Sequence, residues 1–256
     1  MKPDPTVSVV RLQGMITSGR GLNDQHVAPM LEKAFRGKPR AVALVINSPG
    51  GSPVQSSLIG ARIRRLSKEK AVPVIAFVED VAASGGYWLA AAADEIFADE
   101  SSVLGSIGVI SSGFGLSEFI ANHGIERRVH TAGASKSMND MFQPEKPADV
   151  KRLKTLLDDI HASFKAHISA RRAGKLPEDR DLFTGEIWVG QKAVDVGLAD
   201  GVGHLVPTMK ERFGDKVKFK VLQPQRRGLL SRIGMDMVDN TLSGIEERAQ
   251  FARFGL

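Results

Sequence analysis

Short runs of β-branched and apolar residues alternate with amphipathic stretches along most of this chain, and that alternation restricts the fold more than any other feature. The segments "TVSVVRL", "AVALVIN", "VPVIAFVE", "DEIFAD" and "ERRVHT" read as strands, and helical periodicity separates most of them. Strand and helix in turn point to an α/β domain with a largely parallel sheet, because parallel neighbours need a crossover between them.

Between the first two strands, Asn23 to Phe35 places Val27, Met30, Leu31, Ala34 and Phe35 on one face, and the following helix repeats the pattern with Val54, Leu58, Ile59, Ile63 and Leu66. Both faces are expected to cover the sheet. A long helix is expected from Pro147 to Ala173, stopped by Gly174, and a shorter α-rich segment runs through "VGQKAVDVGLADGVG". Beyond Pro224, Leu230, Ile233, Met237, Val238, Leu242, Ile245, Ala249 and Ala252 recur at three- and four-residue steps. The expected organisation is therefore one domain over residues 1–223 and an amphipathic helical tail over 224–256 that serves as a packing or oligomer contact.

Composition narrows the chemistry. The 256 residues, 42% hydrophobic and 25% charged, suit a globular chain with a sizeable core. Without cysteine there is no thiolate catalysis, thiolate metal site or disulfide, so any nucleophile is an oxygen or an amine. The N-terminal "MKPDPTVSVVRLQG" lacks the apolar core of a signal peptide, and no window offers about 18 consecutive apolar residues. A cytoplasmic chain is the plain expectation, with peripheral contact with the inner membrane as the lesser one. The net charge of +6 is spread along the chain and dense only in "ARIRRLSKEK" and "QRRG", which favours a solvated surface and no nucleic-acid partner.

Two glycine turns follow strands. In "VINSPGGSPVQS" the strand ends near Asn47, and Gly50 and Gly51 leave peptide N–H groups uncovered by side chains just before a helix. Such donors are what acyl transfer needs where negative charge develops, although an ordinary strand-to-helix turn has the same appearance. In "VEDVAASGGYW" Ser84 stands at the second junction, where a hydroxyl is exposed beside its neighbour's N–H, while Ser and Gly there also suit close packing of helix on sheet. Ends of neighbouring parallel strands lie side by side, so the two turns support each other.

A serine needs a base. None of the histidines, His26, His123, His130, His161, His167 and His204, falls between Ser84 and His123; a solvated helix face explains His161 and His167, and His130, at the end of an expected strand, stays open as a base. Lys136, in the Gly-, Ser- and Asn-rich "HTAGASKSMND", is either a solvated loop lysine or an amine held neutral to take a proton.

Taken in order, "INSPGG", "AASGGYW", "LGSIGV" and "GASKS", followed by "LFTGEIWVGQKAVDVGLADGVG", resemble the bacterial signal peptide peptidase A family of Ser-Lys peptidases over roughly residues 6 to 206. The resemblance implies the spiral ββα fold shared by Clp-type proteases and crotonases. It implies Ser84 as nucleophile, Lys136 as general base, Ser106 orienting the lysine amine, and the N–H groups of Gly51 and Gly85 as oxyanion hole. The implied activity is a serine endopeptidase cleaving extended apolar peptides, such as signal-peptide remnants, through an acyl-enzyme, with no cofactor or metal. The implied assembly is a ring-shaped homo-oligomer in which the lysine reaches a neighbour's serine. Many family members carry an N-terminal transmembrane anchor; none is legible here, which makes cytoplasmic peptides or misfolded segments alternative substrates.

Two other readings share the fold: a crotonase-like acyl-CoA enzyme, which would need neither Ser84 nor Lys136, and a catalytically silent peptide-binding scaffold. A Clp-type protease would need a histidine soon after its serine. Trp88 and Ser135 depart from the commonest family pattern, which has Tyr at both places, and are expected to alter substrate pockets.

Overall fold

The computed structural model describes residues 4–19, 21–133, 135–222 and 248–255. The chain forms two compact units, one of residues 1–107 with 164–256 and the other of residues 108–163.

The first unit runs β1 (Thr6–Gln13), α1 (Asp24–Phe35), β2 (Ala41–Ser48), α2 (Pro53–Lys70), β3 (Val74–Ala83), α3 (Gly85–Ala91), β4 (Glu95–Ala98) and β5 (Val103–Gly105). The second unit holds α4 (Ser117–Asn122) and the opening turns of α5 (Pro147–Arg171), whose last turns from Phe164 belong to the first. The first unit then continues with β6 (Ile187–Val189), α6 (Gln191–Asp195), β7 (Gly201–Val202), α7 (Leu205–Phe213) and β8 (Lys218–Leu222).

The sheet has the order β6-β5-β3-β2-β1-β8, with β4 pairing β3 and β7. Every pair is parallel except β5 with β6, as the alternation of strand and helix requires. β2 is buried along its whole length because both faces are covered. Val42, Leu44 and Ile46 meet the main core with Leu31 and Phe35 of α1 and Ile59 and Ile63 of α2. Ala41, Ala43 and Val45 meet a second core with Met209 of α7, Ile75 and Phe77.

The strand β3 serves two neighbours in turn. Ile75 to Val78 pair with β4, and Val81 to Ala83 pair with β5. Between these stretches its register with β2 slips: Ile46 faces Val78, but Ser48 faces Ala82. The extra residues, Glu79 and Asp80 among them, interrupt the strand between the part that pairs with β4 and the part that pairs with β5.

The first helix matches its sequence pattern. Asn23 caps it by accepting from the His26 N–H, and all five expected apolar residues are buried. The second matches in part: Ile59, Ile63 and Leu66 are buried, while Val54 and Leu58 are 65% and 47% exposed. "ERRVHT" forms no strand; residues 125–131 are irregular and mostly exposed. Most of the expected tail helix lies outside the described residues. Its described end, residues 248–255, places Phe251 and Phe254 against Val81, Ala83 and Val103.

At the end of α5, Arg172 is buried, bridges Asp200 at 2.7 Å and donates to Gly197 O. Burial alone would push the Asp200 carboxyl up, but hydrogen bonds from Arg172, Lys175 and the Ile96 N–H outweigh it and hold the group below its ordinary value. The Tyr87 hydroxyl, fully buried and pushed well above its usual value by that burial, donates to Leu198 O at 2.8 Å. These contacts tie the "LADG" turn to the helix that follows Ser84.

Candidate active site

Three adjacent parallel strands, β2, β3 and β5, end at the same edge of the sheet. Ser48 is paired with Ala82 and Ala83 with Gly105, so Ser84 and Ser106 each leave the sheet one residue beyond a matched pair. The Ser84 N–H donates to Gly105 O at 2.8 Å, and the Ser106 N–H to Glu186 O at 2.7 Å. Both serines have φ of +51°, a region that side chains rarely occupy, and both are half-buried. Such backbone costs on the order of 1–3 kcal/mol and persists only where surroundings over-determine it. Here the surroundings are a strand pairing on one side and, for Ser84, the start of α3 on the other.

The glycine turn after β2 closes on this junction. A methyl group added to Gly50 would lie 2.8 Å from Ser84 Cβ, Gly85 N and Ala83 O, so backbone meets backbone there with no room for a side chain. Gly50 and Gly51 have φ of +101° and +134°. The Ile16 N–H donates to Gly50 O and the Ser52 N–H to Ile16 O, both at 2.8 Å, and this pairing passes over the Gly51 N–H. The Gly85 N–H belongs to the first residue of α3, where no intrahelical acceptor exists. Gly85 is buried against Ser56 of α2: a methyl there would fall 2.4 Å from Ser56 Oγ and 3.4 Å from the Gly50 Cα.

Four of the five candidate residues, Gly51, Ser84, Gly85 and Ser106, are thus gathered in the first unit. The fifth, Lys136, belongs to the second unit. It is exposed in a turn spanning residues 135–139, where its N–H donates to Gly133 O at 3.2 Å. The chain beyond that turn is held by Arg127 on Asp140, by Asp140 accepting from the Phe142 N–H, and by the Leu116 N–H donating to Met141 O.

Several contributors carry no catalytic signature in the sequence. Ser48 is fully buried, donates to Gly14 O at 2.7 Å and accepts from the Gly50 N–H at 3.3 Å. Trp188 closes the other side: a methyl on Gly105 would lie 2.8 Å from its ring. Only the position of Ser48 inside "NSPGG" could have drawn attention to it.

Trp88 is buried and stacks on Phe164 and on His167, with ring centroids 5.1 and 4.5 Å apart. His167 is correspondingly not on a solvated face. Its Nε2 lies 3.1 Å from Trp88 O, and burial, with the Arg171 charge adding to it, lowers its pKa despite that bond. Ser135 is exposed. Among the described residues no group of acidic, histidine or cysteine side chains is arranged to hold a metal ion.

Comparison with known proteins gives a family from the family model and from curated relatives, and a fold from solved structures. The model of peptidase family S49 matches residues 66–214. The putative signal peptide peptidase SppA of Enterococcus faecium is 30% identical over 186 residues, covering 71% of this chain and 53% of that protein. A Brucella melitensis protein named Na(+)/H(+) antiporter NhaA is 49% identical, over 98% of this chain but only 37% of its own length. This chain therefore spans little more than a third of that relative. No helix among the described residues is long and apolar enough to cross a membrane. A mutant of the 1510-N membrane-bound stomatin-specific protease, solved with a substrate peptide, superposes with a TM-score of 0.52 at 16% identity, covering 94% of this chain and 98% of that one. That likeness shows the fold, the Clp-type protease and crotonase class of stacked ββα units. With the family model matching more than half of its length, the chain belongs to peptidase family S49.

Proposed function

We propose that this chain is a serine endopeptidase that cleaves extended apolar peptides through Ser84 and Lys136. The observation that carries the reading is the placement of Ser84, Ser106 and the Gly50–Gly51 turn at neighbouring strand exits, with Ser84 and Ser106 sharing a φ of +51°. The other non-glycine residues at positive φ, Lys38, Ala71 and Asn139, lie in turns or loops, whereas Ser84 and Ser106 directly follow strands, where backbone strain more often marks a functional site.

In the proposed reaction, Ser84 Oγ attacks the scissile carbonyl and its proton passes to the neutral amine of Lys136. The oxyanion takes hydrogen bonds from the N–H groups of Gly51 and Gly85. Collapse breaks the C–N bond, the leaving amine takes the proton from Lys136, and water, deprotonated by the same amine, hydrolyses the acyl-enzyme. Ser106 hydrogen-bonds the Lys136 amine and orients it.

The substrate is expected to lie extended beside the strands that precede Gly51 and Ser84, where backbone pairing would leave alternate side chains facing the protein. Signal-peptide remnants fit that description, as do apolar segments of misfolded proteins. Exposed Ile110, Phe114, Phe119 and Ile125 of the second unit support self-assembly into a ring, with Lys136 able to serve a neighbouring copy.

The test is hydrolysis of an apolar peptide by Ser84→Ala and Lys136→Ala. Each is expected to lose activity by at least about 100-fold while staying folded. A Lys136→Ala enzyme with wild-type activity would sink the dyad.

A further inference from the structure

We infer that Ser48 is a positioning residue for the oxyanion site: its buried hydroxyl fixes the turn that presents the Gly51 N–H. The inference rests on the proposed oxyanion role of Gly51.

Ser48 ends β2, and its side chain is sealed from solvent. The hydroxyl spends its proton on Gly14 O, at 2.7 Å, and receives the Gly50 N–H at 3.3 Å. One hydroxyl therefore joins the exit of β1 to the first glycine of the turn. The exits of β1 and β2 are also bonded directly, the Gly14 N–H donating to Asn47 O at 2.9 Å. On the opposite side α3 presses on the same residue: a methyl on Gly86 would fall 2.2 Å from Ser48 O and 3.2 Å from Ser48 Cβ. Ser48 thus sits between the segment that pairs with Gly50–Gly51 and the helix that begins at Gly85.

The geometry matters because Gly50 and Gly51 occupy conformations open to glycine, where nothing in their own side chains selects one backbone path. The path is set from outside. Ile16 fixes the Gly50 carbonyl and the Ser52 N–H, and Ser48 fixes the Gly50 N–H; together these orient the peptide plane that carries the Gly51 N–H. Removing the hydroxyl takes this partner from the buried Gly50 N–H and the part-buried Gly14 O, and frees that plane to turn. An oxyanion donor is useful only where charge develops, so a small displacement acts on the transition state and leaves the ground-state complex unchanged.

The experiment compares wild type with Ser48→Ala, and with Ser48→Cys, which keeps a small, weaker donor. It measures kcat and KM on an apolar peptide, inhibition by the corresponding peptide aldehyde, which forms an oxyanion on Ser84, and binding of the reduced-amide analogue, which has no carbonyl oxygen. Expected for folded Ser48→Ala is a loss of about 10- to 100-fold in kcat with KM held, matched by the loss in aldehyde affinity, with reduced-amide binding unchanged. Ser48→Cys is expected to fall between, and it carries the test should Ser48→Ala not fold. Wild-type kcat and aldehyde affinity in a folded variant, or equal loss of aldehyde and reduced-amide binding, would overturn the role of Ser48 alone. A wild-type enzyme whose aldehyde binding is unaffected by Ser84→Ala would overturn the underlying reading, and Ser48 with it.

Discussion

At Gly51 the backbone runs at φ +134°, and a methyl group there would lie 2.1 Å from Ile16 O, a backbone atom that cannot swing aside. Gly51→Ala is therefore expected to destabilise the protein by roughly 1–3 kcal/mol and to abolish hydrolysis, because the turn must open to admit the methyl. Chemical denaturation alongside a peptide assay checks both; a stable, active variant would mean the turn is not held as described. Ser84 presents the opposite case. Its strain belongs to the backbone, so Ser84→Ala should keep stability within about 0.5 kcal/mol while removing the reaction, and Ser84→Gly should gain stability. The place of Gly51, Ser84 and Gly85 at strand exits was legible because glycine and serine at strand ends are sparse signals with few causes. That of Ser48 was not, since a buried serine announces itself only through the partners of its hydroxyl.

Among the elements, α1 was legible in full because its apolar residues and its Asn23 cap are local properties of one segment. Its capping bond predicts that Asn23→Ala costs about 1 kcal/mol in thermal or chemical unfolding. The helix α2 was legible only in part. Val54 and Leu58 obey helical spacing, yet both stand exposed on the first turns of the helix, and spacing alone does not say which turns of a helix are covered. The segment "ERRVHT" has strand composition but no neighbouring strand with which to pair, and composition alone does not supply one. The helix α5 hides its most informative contact in a polar sequence: His167 stacks on Trp88 and bonds to its carbonyl within α3. Because its folded-state pKa is lowered, the unfolded chain binds the proton more readily. The stability from this residue is then complete above the ordinary histidine value near 6.5 and is lost as pH falls through the lower folded value. Unfolding measured between pH 8 and pH 5 should show that acid-side loss in the wild type and a shallower one in His167→Gln. Identical pH profiles would remove His167 from the account. Arg172→Met is expected to cost about 3 kcal/mol, the lower end for breaking a buried pair, because Lys175 still faces Asp200.

For the molecule as a whole, alternation of strand and helix foretold a parallel sheet, and the order of four short motifs foretold the family. The break into two units was not foretold. Residues 108–163 have little periodic structure before α5 and many exposed side chains, so nothing in their pattern separates a loop from a unit with its own internal contacts. Lys136 lies there, apart in sequence and in unit from the serine it is proposed to serve. If the exposed apolar side chains of that unit join neighbouring copies, Phe114→Ser should shift sedimentation towards smaller species and reduce hydrolysis in parallel. Unchanged sedimentation would take that surface out of the interface. The central claim is that Ser84 is a nucleophile made reactive by Lys136, and it is tested most directly by treating wild type and Lys136→Ala with a peptidyl phosphonate and mapping the modified residue. The account predicts modification of Ser84 in the wild type and labelling at least about 100-fold slower in Lys136→Ala. Modification of a different residue, or equal labelling of Ser84 in both proteins, would contradict it.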